Sequence, residues 1–147
     1  MSREVRRVPA DWQHPRDETN VRYKALYPGE EYPNRAAEFM AKANSEGLQE
    51  AIEWFGCPDK EDYMPNWPAE QRTHFMMYED TSEGTPISPA FATPEELARW
   101  LADTGASSFG SSTASYEAWL RVANGGWAPS AVFTPETGLV SGVEASI

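Results

Sequence analysis

Apolar positions along the chain change period several times, and each change marks an element. From Asn34, a residue suited to an N-cap, Phe39 and Ala43 and then Leu48, Ile52 and Phe55 recur at the spacing of one helix face. A helix is therefore predicted through residue 55, with Gly47 dividing it. Residues 56–70 carry three prolines and read as loop. From Thr73 to Glu79 the period becomes two: His74, Met76 and Tyr78 share one face and Phe75, Met77 and Glu79 the other, as in a strand covered on both sides. Pro86 to Phe91 reads as extended, confined by its prolines to a sheet edge or a loop.

Two helices follow. Thr93 is a natural N-cap, Pro94 stands at the first helical position, and Glu96 completes a capping box. Leu97, Trp100 and Leu101 then form an apolar stripe, and Gly105 stands where a residue past the helix end takes positive φ. After a Ser/Gly-rich connection, Thr113 or Ser115 starts a second helix through Tyr116, Trp119, Leu120 and Ala123, stopped at Asn124-Gly125-Gly126. Two short apolar runs around Thr134-Pro135-Glu136-Thr137-Gly138 predict a hairpin. In the first 33 residues Pro9, Pro15, Pro28 and Pro33 interrupt every period, leaving an extended arm with a short strand near Arg6 to Val8. The expected fold is α+β: a small antiparallel sheet with helices packed on it, a C-terminal β-hairpin and an extended N-terminal arm. The expected organisation is a single domain, 1–147, with residues 1–33 as the arm and 34–147 as the globular body.

Composition narrows the setting. A chain of 147 residues with 40% apolar residues, six Trp, six Tyr and six Phe can bury one core. The single Cys57 excludes an intrachain disulfide and suits a reducing compartment. No apolar run is long enough for a membrane span and the N-terminus lacks the pattern of a signal peptide, so a soluble cytoplasmic protein is expected. Net charge is −11, unevenly spread: residues 1–24 hold six basic against four acidic side chains, the remainder six against nineteen. An acidic body repels phosphate backbones, which makes direct nucleic-acid binding an unfavoured reading, and it is attracted to basic protein surfaces.

Candidate chemistry is sparse. His14 and His74 are the only histidines, neither lies beside a serine in a nucleophile elbow, and no histidine pair has metal-ligand spacing, so no catalytic residue, metal or cofactor is assigned. Tyr78, Glu79, Asp80, Ser82, Glu83 and Thr85 form a stretch of acids and hydroxyls that local structure does not require. Ser111, Ser112 and Thr113 close the loop from residue 107 ahead of a helix start, where free N–H groups could hold an anion. With Trp12 and His14 from the arm, these residues are the candidate binding set.

The stretches "THFMMYEDTSEGTPISPAFATPEELARWLADTGASSFGSSTASYEAWL" and "GGWAPSAVFTPETGLVSGVEA", with the opening "RRVPADWQHP", resemble a family of uncharacterised accessory proteins of tailed bacteriophages and prophages. The resemblance implies a small viral protein acting in the host bacterial cytoplasm. It brings no site residues with it. Three readings follow. The first is a non-catalytic acidic protein that binds a host or bacterial-defence protein, in counter-defence or host takeover, through a basic surface on that partner. The second is a small-ligand or nucleotide-binding protein, or a minor enzyme, with a pocket near residues 78–85 and 107–113. The third is a virion or assembly component. Oligomeric state is not encoded in any pattern of the chain.

Overall fold

The computed structural model describes residues 2–79, 84–136 and 138–145. Its ordered elements are β1 (Arg3–Val8), α1 (Glu31–Glu46), α2 (Leu48–Phe55), β2 (His74–Glu79), β3 (Thr85–Pro86), α3 (Pro94–Asp103), α4 (Tyr116–Gly125), β4 (Trp127–Ala128), β5 (Ala131–Thr134), β6 (Gly138–Ser141) and α5 (Gly142–Ala145). The fold is α+β: four strands form an antiparallel sheet in the order β3-β2-β1-β4, and β5 with β6 forms a hairpin near the C-terminus. No helix among the described residues is long and apolar enough to cross a membrane.

The chain divides into two compact units, residues 1–24 with 67–147, and residues 25–66. Residues 1–24 of the expected arm belong to the first unit, where β1 pairs along its whole length with β2, from Arg3 opposite Glu79 to Val8 opposite His74, and residues 25–33 belong to the second. The strand expected near Arg6 to Val8 thus begins at Arg3, and Pro9 stands just past its end.

Strand periodicity sorts the two faces of the first unit. Met77, with Val5 opposite it, faces the paired helices α3 and α4, where Leu97, Leu101, Trp119 and Val122 are almost fully buried. Tyr78 and Met76 lie on the other face, which the irregular segment after β1 covers with Trp12 and His14. Both helices start where their side chains specify. Thr93 Oγ1 accepts from the Glu96 N–H at 3.1 Å and Ser115 Oγ from the Ala118 N–H at 3.2 Å. At the end of α3, Gly105 takes φ +67° while the Gly105 and Ala106 N–H groups bond the Ala102 and Leu101 carbonyls, a Schellman closure.

In the second unit, α1 begins at Glu31, three residues ahead of the expected Asn34 cap. Pro33 is compatible with this because it falls in the first turn, where its missing N–H has no intrahelical partner to lose. Gly47, at φ +99°, separates α1 from α2 as expected. The predicted stripe is only partly covered: Phe39 is buried and Ala43 and Phe55 are half-buried, whereas Leu48 and Ile52 are 60% and 40% exposed, and the buried residue of α2 is Ala51, outside the stripe.

Candidate functional site

Trp12, His14 and Tyr78, three of the sequence candidates, meet in one hydrogen-bonded chain. Tyr78 is fully buried near the end of β2, and its hydroxyl oxygen lies 3.2 Å from Trp12 Nε1 and 2.9 Å from His14 Nδ1. His14 Nε2 lies 2.6 Å from the Lys24 carbonyl oxygen. That carbonyl can only accept, so Nε2 carries the hydrogen. Neutral His14 then accepts at Nδ1 from the Tyr78 O–H, while the Trp12 N–H donates to the tyrosine oxygen.

Electrostatics hold these protons in place. Burial pushes the Tyr78 phenol up to about 12, against weaker lowering from the Trp12 hydrogen bond and the Arg6 charge. Burial also lowers the His14 pKa, and the Arg6 charge adds to that, while the bond to Lys24 opposes it. The Arg6 guanidinium sits 4.5 Å from the Tyr78 ring centroid and pairs with Glu4 at 3.1 Å. A protonated phenol and a neutral imidazole with both nitrogens engaged offer neither a nucleophile nor a proton acceptor at neutral pH. The chain of bonds orders the arm against the sheet.

A cleft of about 580 Å³ opens beside this chain, lined by residues that include Trp12, His14, Arg16, Tyr23, Pro86 to Ala90 and Trp100. Arg16 and Tyr23 are placed by a tight loop. They pair across it as an antiparallel bridge, the Asp17 N–H bonds the Arg22 carbonyl, and Asp17 Oδ1 accepts from the Thr19 N–H. Sequence periodicity could not reveal this loop. Its only local signal is the Asp-x-Thr-Asn turn chemistry.

The remaining candidates lie elsewhere. Arg3, 1% exposed, joins the 79 and 107 segments: its guanidinium is 3.5 Å from Glu79 Oε1, and its Nε–H donates to the Ser107 carbonyl at 3.0 Å. These segments are thus connected by a buried cation, while the 107–113 loop does not line the cleft. That loop closes on itself. The Ser108 N–H bonds the Ser112 carbonyl, the Ser112 N–H bonds the Phe109 carbonyl, and Ser107 Oγ donates to the Gly110 carbonyl at 2.6 Å.

The anion position expected before the second helix is shifted as well. The helix is capped at Ser115, and the Ser115 N–H already donates to the Glu144 carboxylate at 2.8 Å, so the chain supplies its own anion there. Ser111, Ser112 and Thr113 are exposed but precede that cap. Thr85 pairs with Glu79 at the sheet edge. Asp80, Ser82 and Glu83 lie outside the described residues. No group of three or more His, Cys, Asp or Glu that could hold a metal ion occurs among the described residues.

None of the candidate binding residues lies in the second unit, yet its surface is distinctive. Residues 25–66 hold nine acidic and three basic side chains, and all nine acids are exposed. Met40, Leu48, Ile52 and Trp54 are exposed on the same two helices, Trp54 most of all at 69%. Lys42 is committed to Glu46 and to the Trp54 ring, 4.7 Å from its centroid. No family model, curated protein sequence or solved structure matches the chain.

Proposed function

We propose that this chain is a non-catalytic binding protein of the phage-accessory kind, which acts in the host bacterial cytoplasm by docking on a basic surface of a host or defence protein. The observation that carries this reading is the surface of α1 and α2, where exposed carboxylates and exposed large apolar side chains share a small helical unit. Leu48 and Ile52 stand one turn apart on α2 and so share a face, while Glu50 and Glu53 project from other sides of the same helix.

The two kinds of side chain do different work in such a contact. Carboxylates steer a basic partner and reject acidic ones, an effect that salt screens. Apolar surface supplies affinity, roughly 25 cal/mol for each Å² removed from water, and an exposed Trp is a common anchor. Nucleic acid is repelled by the same carboxylates, which leaves basic protein surface as the complementary partner.

Affinity capture from bacterial lysate with the wild-type chain and with the triple variant Glu46→Gln, Glu50→Gln, Glu53→Gln tests this reading. The wild type should retain a discrete basic protein, release it as salt is raised, and bind it again from purified components; the variant should fail to retain it. Recovery of the same proteins by both chains, or of none by either, contradicts the proposal.

A further inference from the structure

We propose that the cleft between residues 12–23 and 86–90 is a binding site for a small planar anion, a flat aromatic ring carrying a phosphate or carboxylate group. This site is independent of the docking surface on α1 and α2 and lies wholly in the other unit.

The first observation is charge. In a chain of net charge −11, Arg16 is the one charged side chain among the described residues that line the cleft, and it is a cation. Among those residues no carboxylate lines it, and His14 and Tyr23 are the other titratable side chains. Both His14 nitrogens are committed, to the Tyr78 hydroxyl and the Lys24 carbonyl. Arg16 uses one NH1 hydrogen on the Val21 carbonyl, at 3.3 Å, and lies 4.0 Å from the Tyr23 ring centroid, and no carboxylate pairs with it among the described residues. Packing over the tyrosine ring holds the guanidinium in place and leaves the rest of its donors for an oxyanion.

The second observation is shape and lining. Trp12, Tyr23 and Trp100 contribute aromatic surface, and Pro86 and Pro89 add rigid apolar walls without N–H groups. The Ser88 hydroxyl is not available for recognition, because it accepts from the Met77 N–H and donates to the Pro89 carbonyl, both at 2.9 Å. Polar recognition is thus concentrated on Arg16, with Gln13 beside it. A volume of about 580 Å³ accommodates a ring system with one charged substituent.

A cationic ligand is the obvious competitor, since aromatic boxes also bind ammonium groups. Arg16 opposes that choice. The acids lie in the neighbouring groove along α3, where Glu95, Glu96 and Asp103 line a concavity that shares Trp100 with the cleft. Arg99 there is already paired with Asp103 at 3.6 Å. An oxyanion is therefore directed to the Arg16 end, away from the α3 carboxylates.

The test is a titration of the full chain followed by NMR of the tryptophan side-chain N–H groups, with four probes: adenosine monophosphate, indole-3-carboxylate, neutral adenosine and inorganic phosphate. The expected result is saturable binding of one or both planar anions with shifts at Trp12 and Trp100, and binding about tenfold or more weaker for adenosine and for phosphate alone. Preference between the first two probes identifies the source of the oxyanion. Arg16→Gln should weaken the planar anion about tenfold and leave adenosine unchanged, while Arg16→Lys should recover only part of the loss because it lacks the fork. No saturable binding of either planar anion overturns the proposal. So does binding in which adenosine or phosphate alone matches the planar anions, or which Arg16→Gln leaves intact.

Discussion

His14 Nδ1 lies 2.9 Å from the hydroxyl oxygen of Tyr78, although the two residues stand 64 apart in the chain. That contact joins an irregular, proline-broken segment to the centre of a sheet. It makes the arm part of the fold.

Tyr78→Phe removes the hydroxyl that both Trp12 Nε1 and His14 Nδ1 use. One buried and one partly buried polar atom then lose their partner, and the expected cost is about 1–3 kcal/mol. Equilibrium denaturation by urea should show the midpoint falling with little change in slope. An unchanged midpoint would mean that this chain of bonds contributes nothing net.

The same pair sets a two-sided pH dependence. The folded pKa of His14 is lowered from 6.5, so its contribution is present above pH 6.5 and is lost as pH falls from there through the lower folded value, because the unfolded chain takes up the proton first. Tyr78 is raised from 10.0 to about 12, so its contribution is present below pH 10.0 and is lost as pH rises toward 12. Stability measured across pH should decline on both limbs. Tyr78→Phe should remove this tyrosine's contribution to the alkaline limb, and an identical alkaline limb in the variant would refute the assignment.

Glycine positions give a paired test of backbone packing. A Cβ at Gly142 would stand 1.8 Å from the Pro129 carbonyl oxygen, whereas a Cβ at Gly125 would meet nothing within 4 Å. Gly142→Ala should destabilise by about 1–3 kcal/mol through overpacking. Gly125→Ala, at the end of α4, should be neutral or stabilise by up to about 1 kcal/mol. Thermal unfolding of the two variants checks both signs, and equal effects would contradict the packing described at Pro129.

Thr93→Ala deletes the acceptor for the Glu96 N–H and should cost about 1 kcal/mol, whereas Thr93→Ser should keep most of the stability. Calorimetry of the two variants separates them. Equal loss in both would assign the effect to the threonine methyl group instead of the cap.

Much of the fold was legible because its signals are local. Thr93, Glu96 and Gly105 specify α3 within thirteen residues of sequence, and the alternation from His74 to Glu79 marks β2 with both faces covered. The cleft was not legible as a whole. Trp12 and His14 could be nominated, but Arg16 and Tyr23 reach it through a loop with no period, and Trp100 reads as part of a helical stripe. The exposed face of α2 was hidden for a different reason. Spacing shows that Leu48 and Ile52 share a face, yet it does not show whether anything covers that face.

Site-specific photo-cross-linking addresses the docking claim most directly. A photoreactive phenylalanine analogue is placed singly at Leu48, at Ile52 and, as a control in the other unit, at exposed Asn124, and each chain is irradiated in bacterial lysate. The expected result is one discrete basic protein joined to positions 48 and 52, absent from 124 and diminished by salt. Adducts of the same kind from all three positions, or from 124 alone, or from none, would contradict it.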